Sequence, residues 1–200
     1  MGMRLSIITL FLLIGSGSLI AQDNFNLVAM GNQAMNEGRF RDAQDLYQAA
    51  LAKEPQSANI YTLLGFCYHK QRQYKFADSI FNISIGLDSV ASKVYWYKGM
   101  NHIALKQDSI GIINYKHFIR LEKPRGGRLL EAYKAIGKCY ERQLYKDGLY
   151  SWQIDEMLYY YELLEQADPS MQDVPLIKSF CEKVRLERPD AQVGKWKMVL

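Results

Sequence analysis

The side chains that could support metal-dependent or nucleophilic chemistry are three histidines and three cysteines, spread along a chain of 200 residues. They are His69, His102, His117, Cys67, Cys139 and Cys181. A zinc site needs ligands a few residues apart, as in Cys-x-x-Cys or His-x-x-x-His, and the sequence contains neither spacing. It also lacks a glycine-rich phosphate loop and a Gly-x-Ser-x-Gly nucleophile elbow. The sequence therefore predicts no catalytic residue, no metal site and no cofactor.

An internal repeat with a period of about 34 residues organises the chain that carries these side chains. Three classes of residue follow it in the same phase. They are the glycines Gly31, Gly65 and Gly99, the small residues Ala43, Ala77 and Gly111, and the aromatics Tyr47, Phe81 and Tyr115. A fourth glycine, Gly137, follows after a slightly longer interval. Such a period predicts stacked helix pairs, because a single pair cannot bury its own apolar face.

The stretch Tyr61–Ser89 shows the pattern in its most complete form. A small residue lies between two aromatic residues on each predicted helix. These residues are Tyr61, Gly65 and Tyr68, followed by Tyr74, Ala77 and Phe81. This pattern resembles the tetratricopeptide repeat family, which implies an all-α, right-handed solenoid of about four helix pairs with a C-terminal capping helix. We place the repeats at about 24–55, 57–89, 92–124 and 130–169 within a domain of residues 22–190, the capping helix at about 174–187 and a tail at 191–200.

The fourth repeat contains an insertion of about eight residues near 143–153. The repeat period places the small residue of its second helix at position 149, and the matching residue, Met157, comes eight residues later. Asp147-Gly148 is a turn signal within it. Two arrangements remain open, a short hairpin or two helices that are each one turn longer.

Residues 1–21 resemble a secretory signal peptide. Arg4 precedes an apolar run from Leu5, small residues follow it, and Ala21 marks the expected cleavage site. Export to the periplasm or cell envelope follows, with an uncleaved anchor as the alternative. Without this segment the formal net charge falls from +4 to +3, because Arg4 is its one charged residue. That charge is too small to predict nucleic-acid binding.

Cys67 and Cys139 each lie two residues after a repeat glycine, where the resemblance implies a small buried residue. Three cysteines leave at least one unpaired, and Cys139 with Cys181 is the one pair that merits a disulfide test.

Tetratricopeptide arrays bind peptides or protein segments, mostly on the concave face formed by their first helices, and the resemblance implies the same here. The predicted binding positions are Asn32, Phe66, His69, Lys70, Trp96, Met100, Lys134, Lys138 and Arg142. The positions in the second and third repeats include aromatic and apolar residues, and those in the fourth repeat are basic. Such a surface suits an apolar peptide with an acidic flank. The alternative is that Phe66 and Trp96 pack against neighbouring first helices.

Some family members clamp a terminal carboxylate with lysine, asparagine and arginine side chains. Asn32 and Lys93 fit that set, whereas Val28, Leu63 and Tyr97 occupy positions that the clamp needs to be polar. Binding of a chaperone tail is therefore not predicted.

The sequence favours a non-catalytic protein-interaction scaffold of the bacterial envelope, with a protein or peptide partner. No small-molecule substrate is predicted, and neither is membrane contact. The alternative function is a structural subunit of an envelope assembly. It would use the C-terminal helix and the 145–152 insertion, whose aromatic residues are Tyr145, Tyr150 and Trp152.

Overall fold

A computed structural model describes residues 24–122, 127–167, 169 and 174–186, without the side chains of 127, 174 and 184–186. The proposed signal segment 1–21 and the tail 191–200 lie outside the described residues. The described helices are α1 (24–36), α2 (Phe40–Lys53), α3 (Ala58–Lys70), α4 (Tyr74–Leu87), α5 (Ser92–Ala104), α6 (Asp108–Leu121), α7 (Gly127–Lys146), α8 (Ser151–Ala167) and α9 (Val174–Leu186). None of them is long and apolar enough to cross a membrane.

The chain divides after Val90 into two compact units, each with its own core. The first unit holds α1–α4, and its core is formed mainly by Ala34, Ala43, Tyr47, Ala50, Ile60, Leu64 and Cys67. The second holds α5–α9, and its core includes Trp96, Tyr115, Phe118, Ile136, Leu144, Ile154, Met157, Tyr161 and Leu164. Consecutive helices pack on each other within each unit, which is the arrangement of an α-solenoid.

Close packing inside each helix pair explains the repeated glycine. A Cβ atom added to Gly65 would lie 2.5 Å from the ring of Phe81, and one added to Gly137 would lie 3.0 Å from the ring of Tyr161. The pairs Gly31–Tyr47 and Gly99–Tyr115 are built in the same way. The first helix of each pair therefore lacks a side chain where the second helix inserts its aromatic ring.

The turn inside each of the first three helix pairs also repeats. Gly38, Arg72 and Lys106 are one repeat period apart and have φ of 76°, 61° and 62°. Their N–H groups donate to carbonyls three residues back, and the next residues donate five back, as from Gln73 to the carbonyl of Tyr68 at 2.9 Å. This is the Schellman motif, in which a residue in the left-handed conformation ends the helix and the last carbonyl groups accept hydrogen bonds from the residues that follow. Glycine adopts this conformation without strain, whereas arginine and lysine do not.

The inserted residues of the fourth repeat lengthen both of its helices. α7 has 20 residues and α8 has 17, compared with 13 or 14 in α2–α6. Gly148 turns the chain between them with φ of 74°. Of the two arrangements that the sequence left open, the structure has the longer helices.

A shared carboxylate ties three helices of the second unit together. The Tyr140 hydroxyl of α7 donates to Glu156 of α8, and Lys116 of α6 forms an ion pair with the same side chain. α9 then packs on α8 through Ile177 and Cys181, while its Leu176 is exposed.

Candidate functional site

In the first unit, the predicted binding residues of α3 form one surface cluster. The rings of Phe66 and His69 stack with centroids 6.0 Å apart, and the Lys70 ammonium lies 5.1 Å from the Phe66 centroid. The Tyr74 ring, at the start of α4, is 5.4 Å from the His69 ring. Phe66 and His69 are half-buried and Lys70 is exposed. The cluster offers an aromatic surface beside a cation, which can hold an apolar side chain next to a carboxylate.

Asn32 lies on α1, exposed to solvent, and accepts a hydrogen bond of 2.9 Å from the Tyr47 hydroxyl. This bond occupies the amide oxygen of Asn32. The companion clamp residue Lys93 lies in the second unit, half-buried with its ammonium 5.8 Å from the Tyr97 ring centroid. Burial lowers the pKa of Lys93, and the nearby Arg128 charge lowers it further.

In the second unit, Trp96 is a core residue. Its ring meets Tyr115 edge-on at 5.3 Å and Phe118 at 5.2 Å, and 8% of the residue remains exposed. Met100 is half-buried against the same core. Trp96 therefore packs on α6, the second helix of its own pair, and not on a neighbouring first helix through these ring contacts. An aromatic side chain this deeply packed presents little surface to a partner.

The predicted basic residues of α7 are Lys134, Lys138 and Arg142, and nearby carboxylates neutralise two of them. The Lys138 ammonium lies 3.1 Å from Glu141, which also accepts a hydrogen bond of 3.0 Å from Tyr161. Arg142 donates two hydrogen bonds, of 2.7 and 3.0 Å, to the carboxylate of Asp108 on α6. The hydrogen bond from Arg142 to this carboxylate is the main reason that the pKa of Arg142 is raised. Although Lys134 is exposed, the pairing of the other two cations leaves this row less positive than the sequence suggests.

A cavity of about 640 Å³ lies between the α5–α6 turn and the α7–α8 loop. Its lining brings Arg142, from the predicted binding face, together with Tyr150, from the predicted alternative interface. The rest of the lining is mostly polar and comprises Lys106, Gln107, Asp108, Ser109, Ile110, Gln143, Lys146, Asp147, Gly148 and Gln153. A cavity of about 510 Å³ occupies the same place beside the Gly38 turn of the first unit. A cavity beside the turn of a helix pair therefore occurs in both units. Residues of the insertion line one side of the larger cavity.

The insertion exposes two of its three aromatic residues. Tyr145 is half-buried on α7, whereas Tyr150 and Trp152 are exposed at the start of α8. The Tyr150 N–H donates to the Gln153 side chain at 2.9 Å, which closes the first turn of α8. Trp152 thus projects from a regular helix rather than from a loose loop.

Three of the second helices, α4, α6 and α8, expose large apolar side chains that neither predicted set contained. They are Phe76, Ile83 and Leu87 on α4, Ile110, Ile113 and Leu121 on α6, and Tyr159 on α8. Among residues of described exposure, α3, α5 and α7 have no exposed large apolar side chain. The sequence did contain a signal, because Phe76 and Ile110 are one repeat period apart, as are Leu87 and Leu121.

The three cysteines are buried free thiols. Burial raises the pKa of both Cys139 and Cys181 to about 12, and it also raises the pKa of Cys67. Thiols of this kind are unreactive at neutral pH, because the thiolate is the nucleophile. Within the described part of the chain, no group of histidine, cysteine and acidic side chains is arranged to hold a metal ion.

Comparison with known proteins identifies the repeats and the fold. The sequence profile of the family described as tetratricopeptide repeat matches residues 34–82. A search of curated proteins returned no match. The structure of YrrB, described as a tetratricopeptide repeat protein with an unusual peptide-binding site, is similar with a TM-score of 0.63 and 17% identity, over 81% of this chain and 77% of that one.

Two further structures show the same fold. The crystal structure of MamA is similar with a TM-score of 0.58 and 18% identity, over 82% of this chain and 81% of that one. The first tetratricopeptide repeat domain of Spaghetti (RPAP3), bound to the HSP90 peptide SRMEEVD, is similar with a TM-score of 0.55 and 22% identity, over 60% of this chain and 93% of that one. The chain therefore contains tetratricopeptide repeat sequence at residues 34–82, and it has an all-α solenoid fold.

Proposed function

We propose that this tetratricopeptide repeat chain is a non-catalytic protein-interaction scaffold that binds a peptide or protein segment on its first-helix face. The fold supports the scaffold role, since two similar structures are described as having a peptide-binding site or a bound peptide. Fold alone does not name a partner, because the ligand class depends on the side chains of the binding face.

The Phe66–His69–Lys70 cluster is the observation that carries the proposal. It combines a partly exposed aromatic ring with a cation 5.1 Å from the ring centroid. A bound segment would place an apolar side chain on the ring and a carboxylate near the ammonium, which would gain both apolar burial and a charge-assisted hydrogen bond. Trp96 and Arg142 contribute less than the sequence suggested, because the first is buried and the second is paired with Asp108.

The test is capture of partners from envelope extracts by the chain from Gln22 to Leu200, compared with its Phe66→Ala/Lys70→Ala variant. Phe76→Ala is the matched control, because Phe76 is an exposed aromatic residue on α4 of the same unit. We expect the double variant to lose the captured partners and the control to keep them. Partners that survive the double variant would place the binding site elsewhere. Trp96 is left unchanged in this test because its removal would damage the core.

The second candidate function is a structural subunit of an envelope assembly that uses the insertion and α9. The exposure of Tyr150 and Trp152 favours it. A Tyr150→Ser/Trp152→Ser variant discriminates the two functions. Loss of the complex in this variant, with Phe66→Ala/Lys70→Ala unaffected, would favour the structural subunit.

Export to the periplasm or envelope is part of the proposal and is supported by the signal-like pattern of residues 1–21. Mass spectrometry of the protein recovered from expressing cells tests it. A mature chain that begins at Gln22 is expected, and an intact N-terminus would indicate an anchored protein instead.

A further inference from the structure

The solvent-facing side of α4 carries an apolar stripe. Its members are spaced four, three and four residues apart, and they are Phe76, Ile80, Ile83 and Leu87. This is the spacing at which the side chains of one helix pack against a second helix. Phe76 is 66% exposed, Ile83 45% and Leu87 37%, whereas Ile80 is half-buried. The Phe76 ring stacks on the Tyr68 ring of α3 with centroids 6.2 Å apart, which holds the outermost ring of the stripe in place.

The repeat architecture does not require this stripe. One period earlier, the same positions on α2 hold Asp42, Leu46, Ala49 and Lys53. In all, α2 exposes four charged residues, whereas α4 exposes one, Lys75. The stripe is therefore particular to the second repeat. An exposed apolar surface with so little charge marks a site of interaction.

We propose that two copies of this chain pair through α4, with the two helices antiparallel across a two-fold axis. With this axis between residues 81 and 82, Phe76 of each copy lies opposite Leu87 of the other. Ile80 then lies opposite Ile83. An interface across a two-fold axis is self-complementary in this way, since residue i meets residue j and j meets i. One register therefore covers the whole stripe of both copies.

Small residues beside the stripe let the two helices approach closely. Ser79 and Gly86 are exposed on one flank of it. No described atom lies within 4 Å of a Cβ atom added to Gly86. The distance between packed helices is set by the side chains at the contact, so this flank favours a short one.

The same register places the charges favourably. α4 has no acidic residue in its first turn and no basic residue in its last, whereas α6 has Asp108 and Arg120 there. In the antiparallel pair, Lys75 of each copy is level with the C-terminal end of the facing α4, where the helix carries a partial negative charge that an ammonium group stabilises. Asp88 is at that end as well, with its Oδ1 accepting a hydrogen bond of 3.0 Å from the Val90 N–H. A parallel pair would instead bring the two Lys75 side chains to the same end, where they repel each other.

The low charge of α4 argues against the other occupants. A helix that lies on a membrane surface is rich in lysine and arginine on its polar face, whereas Lys75 is the one charged residue that α4 exposes. A strongly charged partner segment would lose water from charges that α4 cannot pair. A second copy brings an apolar stripe of the same length without excess charge.

The length of α4 sets the strength of the pairing. α4 has 14 residues and is therefore about 21 Å long, so one pair of such helices buries less surface than the interface of a stable dimer. The homodimer is accordingly weak. This inference does not depend on the first-helix face, because it uses a second helix.

Sedimentation equilibrium of the chain from Gln22 to Leu200 tests the pairing. We expect a monomer–dimer equilibrium with a Kd of about 10–100 µM, as suits a small interface. Ile83→Asp should raise this Kd at least tenfold, because it places carboxylates against the apolar side chain of Ile80. Ile113→Asp is the matched control, because Ile113 is 54% exposed on α6, and it should change the Kd less than twofold. Circular dichroism melts check that the variants fold.

Disulfide cross-linking tests the register. Phe76→Cys/Leu87→Cys should form a covalent dimer on mild oxidation, because each new thiol lies opposite a new thiol of the other copy. Neither single variant should do so, because equivalent positions of the antiparallel pair are about 16 Å apart along the helix axes, too far for a disulfide. The two new thiols are equally far apart within one copy, and the native thiols are buried, so that neither provides another route.

A chain that stays monomeric at ten times the expected Kd overturns the proposal, and so does a dimer that Ile83→Asp leaves intact. Cross-linking of the single variants as readily as the double variant overturns the antiparallel pairing. A monomer that co-sediments with anionic lipid vesicles, and that Ile83→Asp releases, would show that a membrane covers α4, which also overturns the proposal. The variant Phe66→Ala/Lys70→Ala, which tests the first-helix face, should leave the monomer–dimer equilibrium unchanged.

Discussion

Replacing Gly65 with alanine tests the packing principle on which each helix pair depends. The new Cβ atom would lie 2.5 Å from Cε1 and 2.6 Å from Cδ1 of the Phe81 ring. Carbon atoms in contact are ordinarily about 3.5–4.0 Å apart, so that one of the two helices must move by about 1 Å. Phe81 is completely buried, which leaves its ring no open space to enter.

Two opposing terms set the magnitude. Alanine favours a helix interior over glycine by about 1 kcal/mol. Overpacking costs about 1–3 kcal/mol, and we expect the upper end because the ring cannot rotate into solvent. The net loss of unfolding free energy is then about 2 kcal/mol. For a chain of this size that corresponds to a fall in Tm of about 4–8 °C.

Urea denaturation followed by circular dichroism measures this loss as a lower midpoint at an unchanged m value. Gly86→Ala on α4 is the matched control, since no atom lies within 4 Å of the added Cβ, and it should stabilise the protein by up to about 1 kcal/mol. In a Phe81→Leu background the Gly65→Ala change should cost at least about 1 kcal/mol less. An unchanged or increased stability of Gly65→Ala, or an equal cost in both backgrounds, would refute the close-approach argument.

Three further predictions concern the core, a turn and the thiols. Trp96→Ala should lower the unfolding free energy by about 3–5 kcal/mol, measured in urea, because Trp96 is packed among aromatic rings; a change below about 1 kcal/mol would contradict its burial. Arg72→Gly should raise the unfolding free energy, measured in urea, by about 1 kcal/mol, because glycine adopts the left-handed φ of 61° without strain. Arg72→Ala keeps a Cβ atom and should not raise it. Cys139 and Cys181 should resist alkylation at pH 8 until urea unfolds the chain, since burial raises their pKa to about 12 and leaves little thiolate; rapid labelling of the native protein would contradict this.

The helix pairs were predictable because their packing signal is local. In the first three pairs, the glycine and the aromatic ring that covers it keep one constant spacing in the sequence, as in Gly65 and Phe81. Both residues lie within one helix–turn–helix unit, so their spacing is set by helix and turn length alone. The wider separation of Gly137 and Tyr161 showed the insertion for the same reason.

The candidate site was only partly predictable. The α3 cluster was found from the sequence because Phe66, His69 and Lys70 are three or four residues apart, which places them on one side of a helix. Trp96 could not be assigned in this way. Whether a ring on a first helix faces solvent or α6 depends on the rotation of that helix, which is decided by its neighbours.

The sequence by itself determined the fold class and the repeat register, and it indicated that the chain lacks recognisable catalytic motifs. These properties depend on residue type and on spacing within one or two helices. Tertiary structure alone decided which aromatic residues are exposed and which charges are available. It buried Trp96, left Trp152 and Tyr159 on the surface, and paired Arg142 with Asp108, which lies one repeat earlier in the sequence. The physical reason is that burial and charge neutralisation depend on atoms of neighbouring helices, whose positions are set only when the pairs stack.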